Sequence, residues 1–379
     1  MPRVLEAISD TNIGGAGVLL LSRLSHMDRK KYRVTVALPK GSLLKGRLRA
    51  MGVPVVELDG CYDRSLDLRS IHGWISLLRG LRPHVVHTHG CLSCRIASKL
   101  VGVPVVIDTR HCAYQPSHLL SGFPGKFFCG LLLDATSDRT VAVAEAAKEN
   151  LIAMGRNPRK ITVIVNGAEA VEKCDAEERE RLREQLRIPR DCFAVGMVAR
   201  LEPCKGHKTL LQAAEILKGW GGKYCFLLVG DGTEREALKQ YAEELGVRKS
   251  VRFCGFAEDV SPYYNAMDLN VNCSVGTETS SLALSEGMSL GLPAVASDYG
   301  GNPYMIRDGE NGFLFPAGDS KALARRIRQI REDRALYDRL SRGARKRFLE
   351  ELNVRRMTRE TEALYAAMWE SYLRSRQSK

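Results

Sequence analysis

No stretch of the 379 residues approaches the roughly 18 consecutive apolar residues of a spanning helix. A transmembrane helix is therefore excluded. The opening segment Met1–Asp10 lacks the form of a signal peptide, because Glu6 interrupts its short apolar run. The 11 cysteines are odd in number and follow no framework spacing, so they read as reduced thiols. Together these features set the expectation of a cytoplasmic chain. No internal repeat is detectable, and no nucleic-acid motif accompanies the basic charge. Acidic residues are in deficit: 44 against 57 Lys and Arg, a net charge of +13. The imbalance is uneven, +9 over residues 1–172 and +4 over residues 173–379. Such a basic half suits an anionic membrane surface or phosphorylated ligands, with plain solubility charge as the competing reading.

What is present is ordinary globular material: 44% hydrophobic and 27% charged residues, enough chain for two domains. Short runs rich in Val and Ile alternate with longer helical patterns. The first half contains Val4–Ser9, Arg33–Leu38, Val53–Leu58, His84–His87, Val103–Asp108, Thr140–Val143 and Ile161–Val165. The second contains Phe193–Ala199, Tyr224–Gly230, Val251–Phe253, Leu269–Asn272, Pro293–Ser297 and Gly312–Phe315. Continuous rather than alternating apolarity fits strands buried on both faces, as in parallel sheets covered by helices. Two such series predict two doubly wound α/β domains. Asn166-Gly167 and the charged stretch Asp175–Leu186 mark the break. Residues 1–169 form the first predicted domain and 170–359 the second. The tail, residues 360–379, is predicted as an amphipathic helix, with Leu364, Met368 and Tyr372 at helical spacing.

Ligands of such sheets bind beyond the carboxyl ends of the strands. After the first run comes Asp10-Thr-Asn-Ile-Gly-Gly-Ala-Gly17, whose spacing is not the dinucleotide fingerprint. Glycines there admit close backbone approach, and the following helix offers free N–H groups to an anion, although a tight strand–helix turn would use glycines too. The fourth run leads into His87-Thr-His-Gly-Cys-Leu-Ser-Cys94, and the fifth into Thr109-Arg110-His111-Cys112. A metal or redox site is conceivable from these residues, but zinc wants a second spaced pair and a redox Cys-x-x-Cys wants a thioredoxin-like frame. One functional histidine at a strand end is the better reading, with His111 preferred and His87 open to a purely core role.

In the second half, Arg200 and Lys205 flank a turn at a strand's carboxyl end. Arg offers a bidentate fork to phosphate oxygens and Lys a mobile point charge. Together they can neutralise a diphosphate without a metal ion. Glu278 and Glu286 stand eight positions apart, one in a loop and one in the helix that opens near Ser280. The loop and first-turn N–H groups suit phosphate or sugar oxygens, and a carboxylate one turn on suits the paired hydroxyls of a ribose.

The glycine loop, the strand-end histidine, Asn166-Gly167, Arg200/Lys205, Val229-Gly230-Asp231-Gly232 and the Glu278/Glu286 pair together resemble the family 4 glycosyltransferases. The resemblance implies the GT-B fold, two Rossmann-like domains facing each other across a cleft. It implies sugar transfer from a nucleoside-diphosphate sugar, a co-substrate, with retention at the anomeric carbon and no metal or other cofactor. UDP is the favoured base and GDP the next. It places Arg200 and Lys205 on the diphosphate, Glu286 on the ribose, and Glu278 and His111 against the transferred sugar as catalytic residues. The amides of Ser281 and Leu282 would touch sugar or phosphate, Gly15 would approach the donor from the other domain, and Gly255 would lie near the base. The implied acceptor is a hydroxyl on a lipid-linked glycan precursor in polysaccharide or glycoconjugate biosynthesis, reached at the cytoplasmic membrane face. A small-molecule acceptor is the alternative, and a sugar-nucleotide epimerase of the same architecture is the rival. Two positions depart from the family pattern: Glu278 continues as Thr279-Ser280-Ser281, and Ala144 stands where a strand-end Ser is common.

Overall fold

A computed structural model describes residues 1–11, 13–59, 66–111 and 122–377. Cys112, named above with His111, lies outside the described residues. The chain divides into two compact units, Met1–Gly167 with Val354–Lys379, and Ala168–Asn353. The chain passes from one unit to the other at 167/168 and returns at 353/354, whereas the sequence reading sets these crossings at 169/170 and 359/360. The second shift arises because the terminal helix already begins at Val354 and runs to Gln377.

All thirteen predicted strands form. In unit 1 they are β1 (Arg3–Ile8), β2 (Arg33–Pro39), β3 (Val55–Leu58), β4 (Val85–His89), β5 (Val105–Arg110), β6 (Arg139–Ala142) and β7 (Ile161–Val163). In unit 2 they are β8 (Phe193–Val198), β9 (Tyr224–Val229), β10 (Val251–Gly255), β11 (Leu269–Asn272), β12 (Ala294–Ser297) and β13 (Gly312–Phe315). Each unit has one wholly parallel sheet, ordered β3-β2-β1-β4-β5-β6-β7 and β10-β9-β8-β11-β12-β13. The winding reverses between β1 and β4 in the first and between β8 and β11 in the second. Helices leave the two strands of such a pair on opposite faces, which opens a crevice at their carboxyl ends.

The strands read as continuous apolar runs because both faces are covered. On β9, Phe226 and Leu228 join the cluster of Val195, Leu210, Leu211 and Ile327, while Cys225, Leu227 and Val229 join Tyr264 and Met267. β1 alternates in the same way, but with a difference. Leu5 and Ala7 pack with Trp74, Leu78 and Val86. Glu6, by the period of two, projects from the other face and is fully buried there. The terminal helix covers that face: Tyr32 donates to the Glu362 carbonyl at 2.9 Å, and the Asp28 N–H to Glu362 Oε1 at 2.7 Å. Its buried seam runs through Met357, Thr358, Thr361 and Tyr365. Leu364, Met368 and Tyr372, from the predicted stripe, are only half-buried.

Candidate active site

The crevice of unit 2 collects residues far apart in sequence. β8 ends at Val198 and leads to the exposed Arg200 and then to a single helical turn, Pro203–Lys205. Gly206 follows at φ +70°, where a Cβ would meet the Cys273 carbonyl oxygen at 2.1 Å. Only glycine lets this turn lie on the loop after β11. The Cys204 carbonyl accepts from the N–H groups of Val275 and Gly276 at 2.9 and 3.1 Å, which closes that contact.

Lys205 is thereby set against Glu278, Nζ to Oε2 at 2.9 Å. The same oxygen accepts from Ser274 Oγ at 2.7 Å and from Asn272 Nδ2 at 3.2 Å. Burial alone would raise the Glu278 carboxyl, but Lys205, Ser274 and Asn272 outweigh it and hold the group below the ordinary carboxylate value. The loop is locked from behind by Gly300 and Gly301, whose added Cβ atoms would meet the Glu278 and Thr279 carbonyl oxygens at 2.0 and 1.3 Å. Thr277, just before Glu278, holds φ +48°, an unfavourable conformation for a β-branched residue.

Ser281 caps the helix Leu282–Ser289 by accepting from the Leu284 N–H at 3.3 Å, and its hydroxyl accepts from Asn272 Nδ2 at 3.1 Å. Its own N–H points at Met305 Sδ at 3.1 Å, a weak acceptor. The Ser280 hydroxyl is buried with no hydrogen-bond partner among the described residues. One turn on, Glu286 accepts from Tyr264 Oη at 2.9 Å. Burial raises the Glu286 carboxyl, and this bond only partly offsets it. Gly255 ends β10 at φ +76°, and its carbonyl accepts from the Gly230 N–H at 2.8 Å.

Five residues singled out in the sequence, Lys205, Glu278, Ser281, Leu282 and Glu286, thus belong to one loop-and-helix assembly. Arg200 stands at the same end of the sheet, but its side chain engages no partner among the described residues. Asn272, Ser274 and Tyr264 escape the sequence reading. For Asn272 and Ser274 the signal was a polar side chain at or just beyond the end of an otherwise apolar run, whereas Tyr264, inside the helix Ser261–Ala266, had none. A separate cavity of about 280 Å³ lies at the amino ends of the unit 2 strands, lined by Arg179, Arg183 and Arg331 among others. Arg179 and Arg183 are tied to Asp268 at 2.6 and 3.2 Å, so much of that charge is structural.

Gly15 and His111 belong to unit 1. Gly14 and Gly15 open the helix Gly15–His26, and a Cβ at either would meet nothing within 4 Å. Packing therefore does not demand glycine there, while a Cβ at Gly17 would press on the Leu44 side chain at 3.1 Å. His111 follows β5 and is half-buried. Its Nε2 lies 2.8 Å from His89 Nδ1, and His89 Nε2 lies 3.0 Å from Glu6 Oε2. Glu6 also contacts Arg23 Nη2 at 2.8 Å and accepts from Tyr365 Oη at 2.7 Å. Burial opposes ionisation of Glu6, yet Arg23, His87 and His89 hold its carboxyl well below the ordinary value. Burial depresses His87 and His111 well below the ordinary histidine value.

His87 resolves as a core histidine. Its ring nitrogens lie 2.5 Å from Tyr365 Oη and 2.6 Å from Thr109 Oγ1. Glu6, His87 and His89 are close enough to share an ion. Their donor atoms are committed to one another, to Arg23 and to neighbouring side chains, which does not fit a cation site. Cys91 and Cys94 are buried thiols, outside any disulfide, within the Trp74 cluster, a packing role. Among the described residues, no helix is long and apolar enough to cross a membrane.

Comparison with known proteins follows the same division. The profile described as "Glycosyltransferase Family 4" matches residues 13–171, and that described as "Glycosyl transferases group 1" matches residues 178–347. The chain belongs to the family 4 glycosyltransferases. EpsD of Bacillus subtilis is 34% identical over 206 residues, which span 54% of each chain, about half of that relative. An Escherichia coli UDP-Gal:α-D-GlcNAc-diphosphoundecaprenol α-1,3-galactosyltransferase is 27% identical over 87% of both chains. Crystal structures of Anabaena HepE with UDP and with UDP-glucose superpose with TM-scores of 0.83 and 0.82 at 23% identity. They cover 96% and 97% of this chain and all of HepE. The shared fold is GT-B.

Proposed function

We propose that the chain transfers a sugar from a nucleoside-diphosphate sugar, UDP-linked in the first instance, to a hydroxyl acceptor, with retention and without a metal. The observation that carries this reading is Lys205 held against the buried, ionised Glu278 at the carboxyl end of the unit 2 sheet. Leaving-group departure places negative charge on the diphosphate and positive charge on the sugar. Lys205 and the unengaged Arg200 answer the first, and Glu278 the second. In a front-face reaction the acceptor hydroxyl forms the new C–O bond on the face from which the diphosphate leaves, and its proton passes to a leaving phosphate oxygen. Glu286 would take the ribose hydroxyls, the Ser281 and Leu282 segment would line the sugar, and Gly255 would lie near the base. In unit 1, His111 would contact the transferred sugar and the Gly15 amides would approach the donor.

For the acceptor we favour a lipid-linked glycan, the substrate type printed in the name of the E. coli relative. Unit 1 carries exposed cations at Arg29, Lys30, Lys31, Arg33, Lys40, Arg47 and Arg49. It also exposes Phe127, Phe128, Leu131 and Leu132 along one side of the helix Gly125–Thr136. Cations with an apolar stripe suit an anionic lipid surface.

The decisive assay is nucleoside-diphosphate release from UDP-, GDP- and ADP-sugars by wild type and Lys205→Ala. Slow hydrolysis of one donor, abolished in the variant, is the expected result; absence of both turnover and donor binding would sink the reading. Sedimentation with anionic liposomes at low salt, weakened in Phe127→Ser/Phe128→Ser, is expected for the membrane component. Failure of the wild type to sediment removes it.

A further inference from the structure

At the opposite end of the unit 1 sheet from His111, a cavity of about 520 Å³ lies against the amino ends of β1, β4 and β5. Leu78, Pro83, Val101, Val103 and Pro104 give it apolar walls, and its polar groups are Arg3, Arg79, Arg82 and His84. No carboxylate lines it among the described residues. Arg82 ends the helix Ser70–Leu81 at φ +45°, a conformation that costs a residue other than glycine. Its N–H donates to the Leu78 carbonyl at 2.8 Å, and its carbonyl accepts from Arg3 Nε and Nη2 at 2.9 and 2.6 Å. The backbone of the turn is thus pinned. The exposed side chains of Arg82 and of Arg79, one turn back, engage no partner among the described residues. The Arg3 N–H donates to His84 Nδ1 at 2.9 Å. A backbone N–H only donates, so Nδ1 holds a lone pair, the ring is neutral and its proton sits on Nε2. Burial and then the neighbouring Arg3 lower His84 below the ordinary histidine value, in keeping with a neutral ring. Its Nε2–H is neither paired nor sealed among the described residues, and Trp369 steadies the ring with centroids 4.6 Å apart.

We propose that this cavity binds a phosphate ester with an apolar body. The phosphate meets Arg79, Arg82 and His84 Nε2–H, and the body lies on the wall of Leu78, Val101 and Val103. Every side-chain group left uncommitted there is a donor, and no acid competes, so the ligand head is an anionic acceptor. Guanidinium forks match phosphate oxygens, and three separate donor groups match the three oxygens of a phosphomonoester better than the two of a carboxylate. Apolar walls with a few convergent polar groups are the make-up of a small-molecule site, and the volume falls in the usual range of roughly 300–1,000 Å³. The cavity is separated from the strand ends near His111 by the length of β4 and β5, roughly 17–20 Å. It is a further ligand site of unit 1 and does not rest on the sugar-transfer reading.

Isothermal titration calorimetry on the full-length protein at low salt tests this, with naphthyl phosphate, inorganic phosphate and naphthol as probes. Saturable binding of naphthyl phosphate is expected, with inorganic phosphate and naphthol each at least about tenfold weaker, since each keeps only one kind of contact. Arg79→Gln should weaken the ester roughly tenfold or more, the scale of one charged hydrogen bond. Arg82→Gly is the sharper variant. Glycine adopts the φ of +45° without strain, so the melting temperature should hold while affinity for the ester falls by a similar factor. Lys205→Ala should bind the ester as wild type does; a loss there would place the ester in unit 2 and overturn the proposal. Absence of binding by wild type overturns it, as does equal affinity in wild type, Arg79→Gln and Arg82→Gly. Binding of phosphatidic acid vesicles without binding of the soluble ester would assign the arginines to a lipid surface and overturn it as well.

Discussion

The two units solve the same electrostatic problem in opposite ways. Each places a carboxylate on the carboxyl-end side of its sheet and compensates it with a cation and hydroxyl groups. In unit 1 the carboxylate, Glu6, stands within a strand, and both it and Arg23 are sealed, at 0% and 5% exposure. The two Glu6 oxygens of that hub are met by Arg23, His89 and Tyr365. In unit 2 the carboxylate, Glu278, stands on a loop, and its cation, Lys205, keeps 19% exposure. The first arrangement has no capacity to exchange partners and so can only orient. The second has a flexible point charge beside solvent, which under the proposed function would leave Glu278 for a diphosphate. Burial, rather than the identity of the charged groups, separates a positioning device from a binding one.

The comparison breaks most visibly if the cations are removed. Arg23→Met leaves Glu6 buried without its charge partner, so about 3–5 kcal/mol of stability should be lost. Thermal unfolding measures this, and hydrogen exchange should localise it to β1, β4 and the helix Val354–Gln377. A loss below about 1 kcal/mol would mean that the tyrosine and histidines suffice. Lys205→Ala should act oppositely. Donor turnover should fall roughly 10²–10³-fold, about 2.7–4 kcal/mol of barrier, while stability falls less than in Arg23→Met, because Ser274 and Asn272 still hold Glu278.

Acid sharpens the contrast. His207 is buried beside Lys205, with neither ring nitrogen hydrogen-bonded among the described residues, and burial lowers it from 6.5 to about 4. The unfolded chain therefore binds its proton more readily. The stability it contributes is complete above about pH 6.5 and is lost as pH falls toward 4. The contribution is on the order of 3 kcal/mol. His207→Leu should flatten the fall in melting temperature between pH 7 and 4.5; an unchanged slope would assign it to His87, His111 and the carboxylates. The smallest effect should come from Thr277→Gly. Relief of its φ of +48° should stabilise unit 2 by about 1 kcal/mol, partly offset by the chain entropy glycine adds. If turnover drops in this variant as well, the strained residue helps to set Glu278.

Glu6 shows where reading the chain stopped short. In Val-Leu-Glu-Ala-Ile its charge is visible only as a break in an apolar run. Its partners Arg23, His89 and Tyr365 lie 17, 83 and 359 positions away, and nothing local announces them. Asn272 and Ser274 were missed for the same reason: a polar residue at a strand end has meaning only once its neighbours are placed. Lys205 and Glu278 stand out in the sequence because each sits in a local pattern that suggests chemistry. Their 2.9 Å contact was not foreseen, since the reading gave one to phosphate and the other to sugar.

Hydrophobic period, turn residues and strand-end motifs are local, and they were enough to determine thirteen strands, two parallel sheets and the family. Those properties depend on a residue and its near neighbours, whose geometry the backbone constrains directly. Which side chains share a proton, and which cation compensates which carboxylate, depend on where the winding of each sheet reverses. Only the tertiary structure brings β1 beside β4 and β8 beside β11, and it is across those junctions that the charges meet.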